Sequence, residues 1–168
     1  QMFNFLKKVF GTKQDRDVKE YNPKIQLILN YQQEYSNLSN DDLRNKTLEF
    51  RSRIKEYLAP IDAKIDQLRE QAEAEPDIHT KEDIFNDIDR ERKERDGMIE
   101  EILREILPEA FAVVKETAYR FTNNTTLEVS ATDRDRDLSV SRSYINLDGD
   151  KAYYSNSWSA AGGEIVWN

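Results

Sequence analysis

The chain has 168 residues, with 33 acidic and 25 basic side chains and a formal net charge of -8 at pH 7. The absence of cysteine excludes disulfides, thiolate metal sites and a cysteine nucleophile, and the single histidine, His79, excludes sites built from several histidines. The five glycines match neither glycine-rich phosphate-binding motif, so we expect no catalytic residue, no metal site and no cofactor site in this chain.

Residues 2–10 have the pattern of a short amphipathic helix that ends at Gly11. Apolar side chains occupy one side and two lysines the other: Met2, Phe3, Phe5, Leu6, Val9 and Phe10 against Lys7 and Lys8. Nine residues span only about 14 Å, too short for a hydrocarbon core of about 30 Å. The composition leaves two alternatives: the helix lies on an anionic membrane, or it packs against its own domain or a second copy.

Prolines divide the helical pattern that follows. After a polar connector over residues 12–20, the spacing predicts a helix from Pro23 to Tyr35. Ser39, with an acidic residue three positions later, predicts the start of the next helix. We expect that helix to run to about Leu58, where Pro60 ends it.

Residues 59–105 predict an acidic, antiparallel helical hairpin with coiled-coil character. Its two helices carry thin apolar stripes, which include Ile61, Ile65, Ile84 and Ile88. Residues 62–105 contain 16 acidic and 8 basic side chains, so this segment accounts for the net charge of the chain. Acidic neighbours cancel the basic residues at 90–95, and we therefore expect no binding to nucleic acid.

The most apolar predicted helix begins at Pro108, which we expect to break the preceding helix. Four apolar residues share one face and are expected to lie in the core: Phe111, Val114, Ala118 and Phe121. Alternating patterns then predict strands at 127–129, 138–144, 152–154 and 165–167, with a hairpin turn at Asp148-Gly149. The sequence thus predicts a mainly α fold with a small C-terminal β-meander.

Two further candidate functional sites are better explained as structural features. Asp133, Asp135 and Asp137 have the spacing of a calcium loop, but the required glycine and glutamate are Leu138 and Tyr144, so we expect a solvated turn. His79 has no nucleophile or metal ligand set near it in sequence and is expected to be a surface residue.

Two stretches resemble the opening region of SecA, the bacterial preprotein translocase motor ATPase. These are Leu38–Arg53 and Leu107–Glu116, which contains the specific run Leu-Pro-Glu-Ala-Phe-Ala-Val-Val. Lys8-Val9-Phe10-Gly11, followed by Asp15-Arg16, also fits the start of that family. The resemblance implies SecA-like helices over 1–58, an inserted acidic helical hairpin over 59–105, a SecA-like core helix over 106–121 and an inserted β-rich segment over 122–168.

The resemblance also implies a function. The chain would be the helical N-terminal part of an α/β motor ATPase that uses ATP and Mg to drive secretory preproteins through the SecYEG channel. Gln1 before Met2 and the apolar last residues lead us to expect a fragment, not catalytic by itself. Association with anionic phospholipid and the translocon would fall on Phe3, Phe5, Leu6, Lys7, Lys8, Val9 and Phe10.

The same resemblance implies partners and a location. We expect contacts with SecYEG, secretory preproteins and a second copy in a homodimer, and a cytoplasmic protein peripheral on the inner membrane. The alternative from a different class is a stand-alone coiled-coil adaptor that binds a partner through the acidic hairpin.

Overall fold

The computed structural model describes residues 13–167, without the side chain of Gln14. These residues form four helices and five strands: α1 (Lys13–Tyr35), α2 (Asn40–Ala74), α3 (Ile78–Asn123), β1 (Thr126–Ser130), α4 (Asp133–Ser139), β2 (Ile145–Asp148), β3 (Lys151–Ser155), β4 (Ser157–Ala160) and β5 (Gly163–Val166). They divide into a first unit, comprising the described residues up to 45 and from 108 onward, and a second unit, Lys46–Leu107.

The prolines do not end the helices as predicted. Pro60 lies inside α2 and Pro108 inside α3, so both predicted breaks are wrong. An interior proline costs about 3 kcal/mol, because it removes a hydrogen bond and its ring meets a backbone carbonyl. Buried Leu58 and Ile61 flank Pro60, and their packing offsets that cost.

The first described helix also begins earlier than predicted. The polar residues expected to form a connector are helical, because α1 begins at Lys13 and contains Pro23 in its interior. Ser39, by contrast, caps α2 as predicted. Its Oγ accepts a hydrogen bond from the Asp42 amide at 3.0 Å and donates one to the Asp42 carboxylate at 2.6 Å.

The second unit is a pair of helical segments, one from α2 and one from α3. Its core contains Leu58, Ile61, Ile65 and Ile88. Polar contacts join residues that rise in number along α2 to residues that fall along α3: Arg53 with Glu105 (3.0 Å), Tyr57 with Glu101 (2.8 Å), Asp62 with Arg95 (2.5 Å) and Lys64 with Glu91 (2.6 Å). The segments therefore run antiparallel, although exposed ion pairs of this kind contribute at most about 1 kcal/mol each.

The strands of the first unit form two small antiparallel sheets. In the three-stranded sheet the order is β1-β3-β2, so the predicted meander is wrong: β1 pairs with β3 and not with the next strand. The other sheet pairs β4 with β5. Gly149 has φ +59°, which suits glycine, in the predicted hairpin turn between β2 and β3.

The predicted strand over 138–144 is replaced by α4 and the turn after it. Thr132 caps this helix: its side chain accepts from the Asp135 amide, while the Asp135 carboxylate accepts from the Thr132 amide. This capping box starts the helix at Asp133, and the helix continues through Leu138 and Ser139 into the region predicted as a strand. Within residues 13–167, no helix combines the length and apolar character needed to cross a bilayer.

Candidate functional site

The predicted membrane-binding residues Phe3, Phe5, Leu6, Lys7, Lys8, Val9 and Phe10 lie outside the described residues. Within the described part of the chain, no group of three or more His, Cys, Asp or Glu side chains is placed to hold a metal ion. His79 is exposed, near the start of α3. The candidate site in the described residues is instead an apolar groove in the first unit.

The apolar groove has a volume of about 620 Å³ and two walls. The helix wall consists of Val113, Val114, Thr117, Ala118 and Phe121 from α3. The β wall follows α4 and carries four aromatic residues: Tyr144, Tyr154, Trp158 and Trp167. Among the described residues that line the groove, Arg142 alone is charged.

The exposure of apolar residues on α3 contradicts a prediction about the core. Phe111 and Val114 were expected to be buried, but 53% and 65% of their surfaces are exposed. The opposite side of α3 is buried instead, with Ala112 at 0% and Glu116 at 3% exposure. The apolar stripe of this helix therefore faces away from the described core, and Ala118 and Phe121 line the groove.

A hydrogen-bond network around Asp135 fixes the β wall. Asp135 is 0% exposed, and its carboxylate accepts from Arg44 Nη2 at 2.6 Å and from Tyr154 Oη at 2.5 Å. It also accepts from the amide and hydroxyl of Thr132, at 2.8 and 2.9 Å. The prediction that Asp133, Asp135 and Asp137 form a solvated turn is thus wrong: all three lie in α4, and Asp135 is fully buried.

The electrostatics of this network follow from its geometry. Burial opposes the charged form of Asp135, but the hydrogen bonds from Arg44, Tyr154 and Thr132 outweigh it and hold the pKa of that carboxyl well below its usual range. Burial and the hydrogen bond to Asp135 raise the pKa of Tyr154 to about 12. Tyr154 therefore stays protonated, donates to Asp135 and presents its ring to the groove.

Contacts at the end of α3 join three residues that line the groove. The rings of Phe121 and Trp167 are tilted against each other, with centroids 6.5 Å apart. Asn156 links the same region: its side-chain amide donates to the Phe121 carbonyl at 3.2 Å, and its carbonyl accepts from the Trp167 amide at 2.8 Å. The chain thus leaves α3 and returns to the end of the same helix.

A second polar cluster positions the helix wall. The Arg120 guanidinium donates to Glu116 Oε1 at 2.9 Å, to Asn40 Oδ1 at 2.8 Å and to the carbonyls of Tyr35 and Leu38 at 3.0 and 2.8 Å. Tyr35 Oη also donates to Glu109 at 3.0 Å. One arginine therefore joins α3 to the end of α1 and the start of α2.

The groove has the chemistry of a binding surface. Its described lining includes no His, Cys, Asp or Glu, and its aromatic rings offer large apolar contacts with few rotatable bonds. Sequence reasoning did not assign the β wall. The occurrence of both tryptophans of the chain, Trp158 and Trp167, in the predicted β-rich segment was a partial signal, and both line this groove, but it does not specify which strands meet there.

Comparisons with known proteins add a family relationship. The family model described as SecA DEAD-like domain matches residues 6–132. Proteins named Protein translocase subunit SecA are similar to this chain at 49% identity in Flavobacterium psychrophilum, 42% in Porphyromonas gingivalis and 40% in Bacteroides fragilis. Each match covers 98% of this chain but only 15% of the relative, and no solved structure matches.

Proposed function

The chain belongs to the SecA family, and from this premise we propose that it is the N-terminal part of a motor that uses ATP hydrolysis to drive secretory preproteins through the SecYEG channel. The observation that carries the proposal is the 49% identity over 165 residues to a protein translocase subunit. The relatives are named as translocase subunits, which gives no support to the stand-alone adaptor.

In this proposal the chain supports the motor and does not carry its catalysis. ATP and Mg would be bound by other parts of the full-length protein, since the chain spans only 15% of the relatives' length and contains no phosphate-binding glycine motif. The helix from Pro108 to Phe121 would support the first nucleotide-binding domain. The segments 59–105 and 122–168 would be insertions, which the matched relatives share because the matches extend over 98% of the chain.

The proposed motor activity can be tested with the full-length protein. Inverted membrane vesicles that contain SecYEG are mixed with an unfolded secretory preprotein, the full-length protein and ATP. We expect preprotein to become protected from added protease only when ATP is hydrolysed. ATP hydrolysis without any protected preprotein would contradict the proposed function.

The proposed location is the cytoplasmic face of the inner membrane, where residues 2–10 would hold the protein on anionic phospholipid and the translocon. Lys7 and Lys8 would attract the negatively charged surface, and Phe3, Phe5, Leu6, Val9 and Phe10 would enter the interface. The same residues are also proposed to contribute to a homodimer interface. Binding to lipid vesicles therefore tests the membrane role separately, because it measures membrane association directly.

We expect Phe5→Ser with Lys7→Glu to weaken binding of the full-length protein to phosphatidylglycerol-containing vesicles by at least about tenfold. The loss combines one buried aromatic side chain with a reversed charge at the surface. The matched control is Tyr21→Ser with Lys24→Glu, a pair exposed on α1 outside residues 2–10. Equal vesicle binding by both double variants, measured by flotation at several salt concentrations, would show the anchor assignment to be wrong.

A further inference from the structure

The end of the second unit where α2 gives way to α3 is strongly acidic. This turn end, residues 70–87, contains seven acidic side chains and one lysine, so its net charge is -6, compared with -8 for the whole chain. Elsewhere in the unit, a base on one helix pairs with an acid on the other, as in Lys64 with Glu91. Of the turn-end acids, only Asp87 forms an ion pair with a described residue, Arg90. Most of the negative charge of the turn end is therefore uncompensated.

The acidic residues at the end of α2 also oppose the helix dipole. The last turn of α2 contains Glu73 and no basic residue, and Glu70 and Glu75 lie on either side of that turn. The carbonyl end of a helix carries partial negative charge, so carboxylates there are unfavourable and cations are favourable. None of these three carboxylates forms an ion pair with a described residue. A cationic partner would therefore relieve an unfavourable arrangement that folding leaves in place.

Two large apolar side chains lie exposed on the same acidic surface. Ile78 is 73% exposed and Phe85 is 51% exposed. Both belong to α3, and their separation of seven residues places them on one face, about 10 Å apart along the helix. Glu82 lies between them on that face, and Asp89 lies one turn beyond Phe85. The face therefore alternates apolar and acidic side chains.

We propose that the turn end is a docking surface for a basic amphipathic segment of another protein. Apolar side chains of that segment contact Ile78 and Phe85, while its lysines or arginines pair with Glu82 and with the carboxylates at the end of α2. Charge complementarity selects this occupant, because an acidic partner, a second turn end or an anionic membrane would bring like charges together. The inference goes beyond the proposed motor activity, since such docking requires neither ATP nor SecYEG.

The test of the apolar contacts uses the full-length protein and a fluorescent peptide of about 18 residues, with leucine and lysine spaced to form an amphipathic helix. Binding is followed by fluorescence anisotropy. We expect Ile78→Ser with Phe85→Ser to raise the Kd at least about tenfold, because both apolar contacts are lost. The matched control is Leu48→Ser with Leu103→Ser, at residues 61% and 48% exposed elsewhere in the second unit, and its Kd should stay within about twofold.

A second pair of variants tests the charge. Glu73→Lys with Glu82→Lys reverses two acids at the turn end, and Glu94→Lys with Glu100→Lys reverses two exposed acids elsewhere on α3. Both pairs change the net charge of the protein equally, so a difference between them reports position. We expect the turn-end pair to raise the Kd at least about tenfold and to reduce its dependence on salt, whereas the control pair keeps most of both.

Three results would overturn the proposal. Equal Kd values for turn-end and control variants would show that the peptide binds elsewhere on the protein. Equal binding of a peptide with glutamate in place of lysine would show that charge does not select the partner. Self-association that the turn-end variants abolish, measured by analytical ultracentrifugation, would identify a second copy as the occupant. The assay contains no ATP and no membrane, so its outcome is independent of whether the protein moves preproteins.

Discussion

Replacing Arg120 with leucine is expected to lower the free energy of unfolding of the chain by about 3–5 kcal/mol. The side chain of Arg120 is 12% exposed, and that of its ion-pair partner Glu116 is 4% exposed. Without the guanidinium, Glu116 becomes a buried carboxylate without its ion-pair partner, and the carbonyls of Tyr35 and Leu38 lose a donor. Urea unfolding followed by circular dichroism measures the loss.

Two variants separate the charge of Arg120 from its geometry. Arg120→Lys keeps the charge, but a single ammonium group cannot donate at once to four acceptors on four different residues. We therefore expect an intermediate loss of unfolding free energy. Adding Glu116→Leu to Arg120→Leu removes the unpaired carboxylate, and the double variant should be more stable than Arg120→Leu alone. A loss below 1 kcal/mol for Arg120→Leu, or a double variant less stable than the single one, would contradict the role assigned to this cluster.

The sequence did not reveal this cluster for a physical reason. Glu116 and Arg120 are four residues apart on a helix, a spacing typical of a solvated surface pair. Their burial arises from the segment between α1 and α2, whose carbonyls approach Arg120 from more than 80 residues away. Helical periodicity describes one element at a time and carries no information about such distant backbone groups.

Sequence predictions were confirmed where interactions between residues close in sequence determine the local structure. Ser39 caps α2, the 127–129 and 152–154 patterns form β1 and β3, and Gly149 lies in a hairpin turn. Local signals failed where packing decides the outcome. Pro60 lies inside α2 between buried neighbours, and the stripe containing Val114 is exposed although it is apolar.

The candidate sites show the same difference between local and long-range information. Residues 2–10 could be proposed as a membrane-binding site from sequence, because amphipathic pattern and charge are both local properties, and this assignment stays a prediction because these residues lie outside the described ones. The β wall of the groove could not, since Tyr154 reaches it through a register with β1 and β2 that alternation alone does not specify. Asp135 was visible only as one member of an acidic triplet, and its burial depends on Arg44, 91 residues earlier.

Replacing Asp135 with alanine is the second change expected to have a large effect, about 3–5 kcal/mol of unfolding free energy. It removes an acceptor from four hydrogen bonds and leaves the Arg44 guanidinium, whose side chain is 32% exposed, without its carboxylate. Tyr154→Phe removes one of those bonds and keeps the ring in the groove, so we expect a loss of only about 1 kcal/mol. Equal losses for the two variants would show that the carboxylate does not organise the β wall.

The Asp135 contribution should also depend on pH in a defined direction. Its pKa in the folded chain lies below the ordinary value of 3.8, so the folded state binds the proton more weakly than the unfolded state. The stabilisation is therefore complete above pH 5 or so and is lost as the pH falls below about 4 toward the folded pKa. Asp135→Asn lacks this titration, and the difference in unfolding free energy between the unsubstituted chain and this variant should be constant from pH 5 to 7 and shrink by pH 2. A difference that stays constant down to pH 2 would show that the carboxylate at 135 is not preferentially ionised in the folded chain.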